Sequence, residues 1–136
     1  MVLELTWEVY GELRRVGRDA APVEACGLLA GVENRATRFY PLSNADASAG
    51  HFSMIPEEQF AAVKDMRRSG LKMLAIWHSH PASPARMSAE DLRLALTPDA
   101  VYMILSLATE PPSLAAYSVR DGVAEQVAVN LVGGRE

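Results

Sequence analysis

The chain has 136 residues, enough for one domain with a real core, and its 49% apolar and 22% charged residues are an ordinary globular balance. A net charge of −4 and a pI of about 5.4, with no lysine or arginine run, argue against a nucleic-acid surface. Cys26 is the only cysteine, so no intrachain disulfide forms. No apolar run is long enough for a bilayer, and the N-terminus has no basic region followed by an apolar stretch. A cytoplasmic domain without a membrane segment or signal peptide is expected.

In chain order, Thr6 caps a predicted helix over residues 7–20, with Trp7, Tyr10, Leu13, Gly17 and Ala20 on one face. Pro22 closes it. Residues 25–32 form a short apolar run that reads as a buried strand, and residues 35–42 alternate well enough to pair with it. The small polar stretch 43–50 reads as a surface loop. Pro56 opens a second helix that Gly70 ends, with Phe60, Val63 and Met66 as the expected buried stripe. An apolar strand over 71–77 delivers His78. A short helix over 88–96 and strands over 101–107, 114–119 and 123–129 complete the chain, with Asp121-Gly122 as a hairpin turn. This order gives an α/β (α+β) domain, a sheet flanked by helices, over residues 1–130, followed by a flexible tail over 131–136.

The chemistry concentrates in residues 78–91. His78 and His80 stand at i and i+2, so on extended chain both imidazoles point to one side. A proline-containing loop then leads to Ser88 and Asp91, an N-cap and a carboxylate three residues apart. Two imidazoles and a carboxylate are what a divalent metal takes from a protein when one position stays open for water. The same set also describes the facial triad of non-haem iron enzymes, which leaves the His-x-His-Pro loop and Ser88 unexplained. Cys26, inside an apolar run, reads as a small buried hydrophobe rather than a nucleophile, with a role as an extra metal ligand as the minority reading. His51 is isolated and reads as a loop residue.

The string His78-Ser79-His80-Pro81, six residues, then Ser88-x-x-Asp91, resembles the signature of the JAMM (MPN-plus) metalloprotease family. The segment 22–29, the Phe52-Ser53-Met54-Ile55-Pro56 stretch and Gly70 extend the likeness over roughly residues 1–125. The resemblance implies a mixed sheet of cytidine-deaminase-like type and a zinc ion held by His78, His80 and Asp91. It implies Glu24 as the general base and Ser88 as a donor to the oxyanion; without it, nothing singles out Glu24 among the 17 acidic residues. The compact length is similar to the prokaryotic branch of the family. That branch implies hydrolysis of a peptide or isopeptide bond after the Gly-Gly end of a ubiquitin-like sulfur-carrier protein. Relatives of this fold that lack the ligands serve as interaction modules, a role the intact ligand set argues against. A homodimer is compatible with the apolar content, although no patch is assignable from sequence. The chain's own Gly133-Gly134 reads as part of the tail.

Overall fold

The computed structural model describes residues 1–97 and 99–134. Its elements run β1 (Val2–Thr6), α1 (Trp7–Ala20), β2 (Cys26–Val32), β3 (Arg35–Leu42), α2 (Pro56–Arg68), β4 (Lys72–His80), α3 (Ala89–Arg93), β5 (Val101–Ser106), β6 (Ser113–Arg120) and β7 (Val123–Val132). The strands pair in the order β1-β3-β2-β4-β5-β6-β7, and β1 also pairs with β7, which closes the sheet. β1/β3, β1/β7 and β4/β5 are parallel and the other pairs antiparallel, so the sheet is mixed, as expected.

α1 starts where Thr6 Oγ1 accepts from the Val9 N–H at 3.2 Å. It buries Val9, Tyr10, Leu13 and Gly17 against one face of the sheet, together with Leu5, Leu29, Trp77, Met103 and Leu105. A Cβ on Gly17 would meet Leu105 and Ser79 at 3.4 and 3.6 Å, so the helix lies close on β4 and β5. The opposite face carries α2, packed through Ala62 and Met66 on Leu28, Ala30 and Ile76. This divides each central strand by parity. Trp77 and Ser79 face α1; Ile76, His78 and His80 share the side of α2.

Several expectations are corrected. β1 was not foreseen; it depends on pairing with β3 and β7, which a five-residue segment does not advertise. β4 runs through both histidines to His80 rather than stopping at Trp77. The buried stripe of α2 is Ala62 and Met66, and Phe60 is 75% exposed. Phe60 lies about 200° around the helix from Ala62, so packing through Ala62 and Met66 leaves it in water. α3 is shorter than 88–96 because it buries no residue and is defined by its cap. The segment 131–136 overlaps β7 at Leu131 and Val132, and its last two residues lie outside the described chain. The Asp121-Gly122 turn is present, with φ of 53° and 76° as a two-residue hairpin requires. No helix among the described residues is long and apolar enough to cross a membrane.

Candidate metal centre

The register of the central strands assembles the site. β2 and β4 are antiparallel with Cys26 opposite His78. Continuing that register by two residues sets Glu24 opposite His80, on the same side of the sheet. The register does continue, because the Ser79 N–H donates to Ala25 O at 3.0 Å. Residues 54 positions apart in sequence thus become direct neighbours.

Asp91 arrives by a loop that the sheet holds at three consecutive carbonyls. Ser106 Oγ donates to Ser83 O at 2.6 Å, His80 Nδ1 to Pro84 O at 2.8 Å, and Tyr117 Oη to Ala85 O at 2.8 Å. α3 then begins with a capping box. The Asp91 N–H donates to Ser88 Oγ and the Ser88 N–H to Asp91 Oδ2, both at 3.0 Å.

His78 Nε2, His80 Nε2 and Asp91 Oδ2 converge. The two nitrogens are 3.1 Å apart and lie 3.3 and 3.2 Å from the carboxylate oxygen. The bond from His80 Nδ1 to Pro84 O puts the ring hydrogen on Nδ1, so Nε2 offers a lone pair. Lone pairs this close repel unless a cation or proton stands between them. Zinc–nitrogen bonds of about 2.0–2.1 Å at tetrahedral angles separate ligand atoms by about 3.3 Å, close to the spacings here. The residues therefore fit a zinc ion. Cys26 is not in the cluster. Its buried thiol donates to Leu42 O and Ser43 O at 3.6 and 3.5 Å, and burial pushes its pKa up to about 12, so the minority reading of Cys26 as a ligand is dropped.

Burial lowers the pKa of His78. For His80 burial acts in the same direction, but the bonds to Asp91 and Pro84 outweigh it and the net shift is upward. Burial would raise Asp91, but in the metal-free site the two imidazoles beside its Oδ2, when they carry the extra proton, and the Ser88 N–H hold its carboxyl well below the usual range. Glu24 is different: burial raises it to about 7, with His80 as the main charge acting the other way. Its Oε1 and His78 Nδ1 are both buried without a hydrogen-bond partner. Phe52 stacks on the His78 ring, with centroids 4.7 Å apart and planes at 27°. Beside His78 and Asp91 opens a cavity of about 210 Å³, walled by Phe52, Met54, Ile76, Met87, Leu94 and Tyr102. His51 stands at its rim, 3.3 Å from Asp46 and 3.9 Å from Glu90.

Residues 7–120 match the family described as prokaryotic homologs of the JAB domain. The chain belongs to that family. It is 36% identical over 116 residues to the CysO-cysteine peptidase of Mycobacterium tuberculosis, covering 82% of this chain and 78% of that protein. A desampylase of Pyrococcus furiosus is 37% identical over 73 residues, 54% of this chain and 52% of the relative. Among solved structures, a Desulfitobacterium hafniense protein superposes with a TM-score of 0.91 at 43% identity, covering 100% of this chain and 96% of that one. A JAB1/MPN domain protein from Archaeoglobus fulgidus gives 0.61 at 21% identity, covering 95% and 98%, and speaks to the fold alone. This prokaryotic JAB homologue is a hydrolase. The sequence contained no sign of Ser106 or Tyr117, whose bonds hold the loop that leads to Asp91; polar residues on strands carry no mark of what they will reach.

Proposed function

We propose that the protein is a zinc-dependent peptidase that hydrolyses a peptide or isopeptide bond after the Gly-Gly end of a ubiquitin-like sulfur-carrier protein. The observation that carries the chemistry is the meeting of three ligand atoms, from His78, His80 and Asp91, within 4.8 Å of one another beside the unpartnered Glu24 carboxyl. Bound zinc lowers the pKa of water toward about 7 and polarises a carbonyl. Glu24, poised near 7, takes the proton of the attacking water as its oxygen bonds to the carbonyl carbon. As the carbon–nitrogen bond breaks, Glu24 returns that proton to the leaving amine. Ser88 Oγ accepts from Asp91 N–H, which leaves the hydroxyl hydrogen to donate to the oxyanion. The apolar wall beside His78 suits peptide flanking the scissile bond. The substrate class is supported by the CysO-cysteine peptidase relative.

The test uses a carrier protein extended past its Gly-Gly end, with mass spectrometry of the released tail and metal analysis of each variant. Glu24→Gln is expected to lower turnover by at least ~10²-fold with zinc retained, and His80→Ala to lose the metal. Parental turnover in Glu24→Gln would refute the assigned base, and stoichiometric zinc in His80→Ala the ligand set.

A further inference from the structure

β2 begins at Cys26, and beyond it one ladder bond remains, from the Ser79 N–H to Ala25 O, one residue short of Glu24. The backbone at the base is held from outside the strand. Glu24 N–H donates to Ser48 O at 2.8 Å, Asn44 Nδ2 donates to Glu24 O at 3.0 Å, and Ala25 N–H donates to Ser79 Oγ at 2.8 Å. Of these partners, Asn44 engages most widely. Its Nδ2 also donates to His51 O at 3.0 Å, and its Oδ1 accepts from the Asp46 and Ser53 N–H groups at 3.1 Å each. One half-buried side chain thus ties the carbonyl of Glu24 to the loop that carries Phe52, and Phe52 stacks on His78.

We propose that Asn44 is a positioning residue of the hydrolytic centre, holding the Glu24 backbone and the Phe52 loop in one frame. The proposal rests on reading Glu24 as the general base. Asn44 acts through these groups and touches no reacting atom. A carboxylate that must meet a water at hydrogen-bond range tolerates little drift, since a misplacement of about 1 Å costs on the order of 10²-fold in rate. Asparagine suits the position because it supplies two donors and two acceptors on one planar group. Aspartate has the same shape and keeps the acceptors for Asp46 and Ser53, but it has no donor for Glu24 O or His51 O.

The test compares Asn44→Asp with the parent, both zinc-loaded, on the Gly-Gly-extended carrier. In parallel, NMR hydrogen exchange follows the Glu24 amide. The expected result is a kcat lowered ~10–100-fold with KM, zinc Kd and unfolding midpoint close to parental. Exchange at Glu24 should quicken by about tenfold or more, while β5 amides stay protected. A parental kcat, or parental exchange at Glu24, overturns the proposal. So does a loss of zinc affinity and stability in step with kcat, the signature of a merely structural residue. Where Asn44→Asp does not fold, Ser79→Ala opens the same bracket at Ala25 and carries the same readouts. Should the parent itself leave the carrier uncut, the substrate reading falls, and exchange at Glu24 alone decides for or against the bracket.

Discussion

Glu24 combines a buried position, an unpartnered oxygen and a pKa raised to about 7 by burial. That shift makes a stability prediction whose sign is fixed by proton linkage. In metal-free protein the folded state holds a proton on Glu24 that the unfolded chain releases above its ordinary carboxyl range. Native protein therefore binds more protons than unfolded protein from about pH 4.5 up to about 7, and stability falls as pH rises through that window. Glu24→Gln removes the Glu24 contribution to that slope. In chelator, the variant's unfolding midpoint should match the parent at pH 4 and exceed it at pH 8. A difference that does not change with pH would show that the Glu24 proton is not linked to folding. Among the residues, His78, His80, Ser88 and Asp91 were legible because they sit on one short, densely patterned stretch. Glu24 became visible only through the family resemblance, and Asn44 not at all, because its importance lies in four hydrogen bonds to distant or looped backbone.

At the scale of elements, periodicity succeeded where one face is buried by one neighbour. α1 buries Tyr10, Leu13 and Gly17 of its expected face, adds Val9 to it and leaves Trp7 and Ala20 partly buried, because its apolar positions are spaced for one sheet. α2 shows the limit. Its largest apolar residue, Phe60, points outward, while Ala62 and Met66 carry the contact. Urea unfolding should separate the two. Met66→Ala is expected to cost about 2–5 kcal/mol through the cavity it leaves, whereas Phe60→Ser should stay within about 0.5 kcal/mol. Equal losses would mean that α2 packs by its Phe60 face after all. β4 outran its expected end because the histidines, though polar, are buried strand residues paired to Ile104 and Ser106 of β5. Gly31 is a further case. A Cβ there would sit 1.7 Å from Arg35 O, at the irregularity where the β2/β3 register shifts. Nothing in the local sequence distinguishes that glycine from an ordinary strand end.

For the whole molecule, closure of the sheet makes the site part of the fold. β1 seals the ring by pairing with both β3 and β7, and the ligand-bearing β4 lies near its middle. The three proposed ligands come from β4 and α3, so an ion bound there would join elements that an unfolded chain does not hold together. Zinc at 100 times its Kd should stabilise the protein by about 2.7 kcal/mol, and stripping it with chelator should lower the thermal midpoint by on the order of 10 °C. A midpoint indifferent to zinc at saturating concentrations would mean that the folded site does not bind it.

By itself the sequence pointed to the proposed metal chemistry, because the residue types, the i, i+2 spacing on extended chain and the capped helix that follows are local properties of one segment. Family likeness added the fold and nominated the base. The tertiary structure alone decided where the proposed base sits. The antiparallel register of β2 on β4 brings Glu24 across from His80, the sheet fixes the loop that delivers Asp91, and a loop asparagine grips the backbone where the strand ladder has ended. Those are long-range contacts, paid for by the folding of the whole chain, and no pattern in neighbouring residues encodes them.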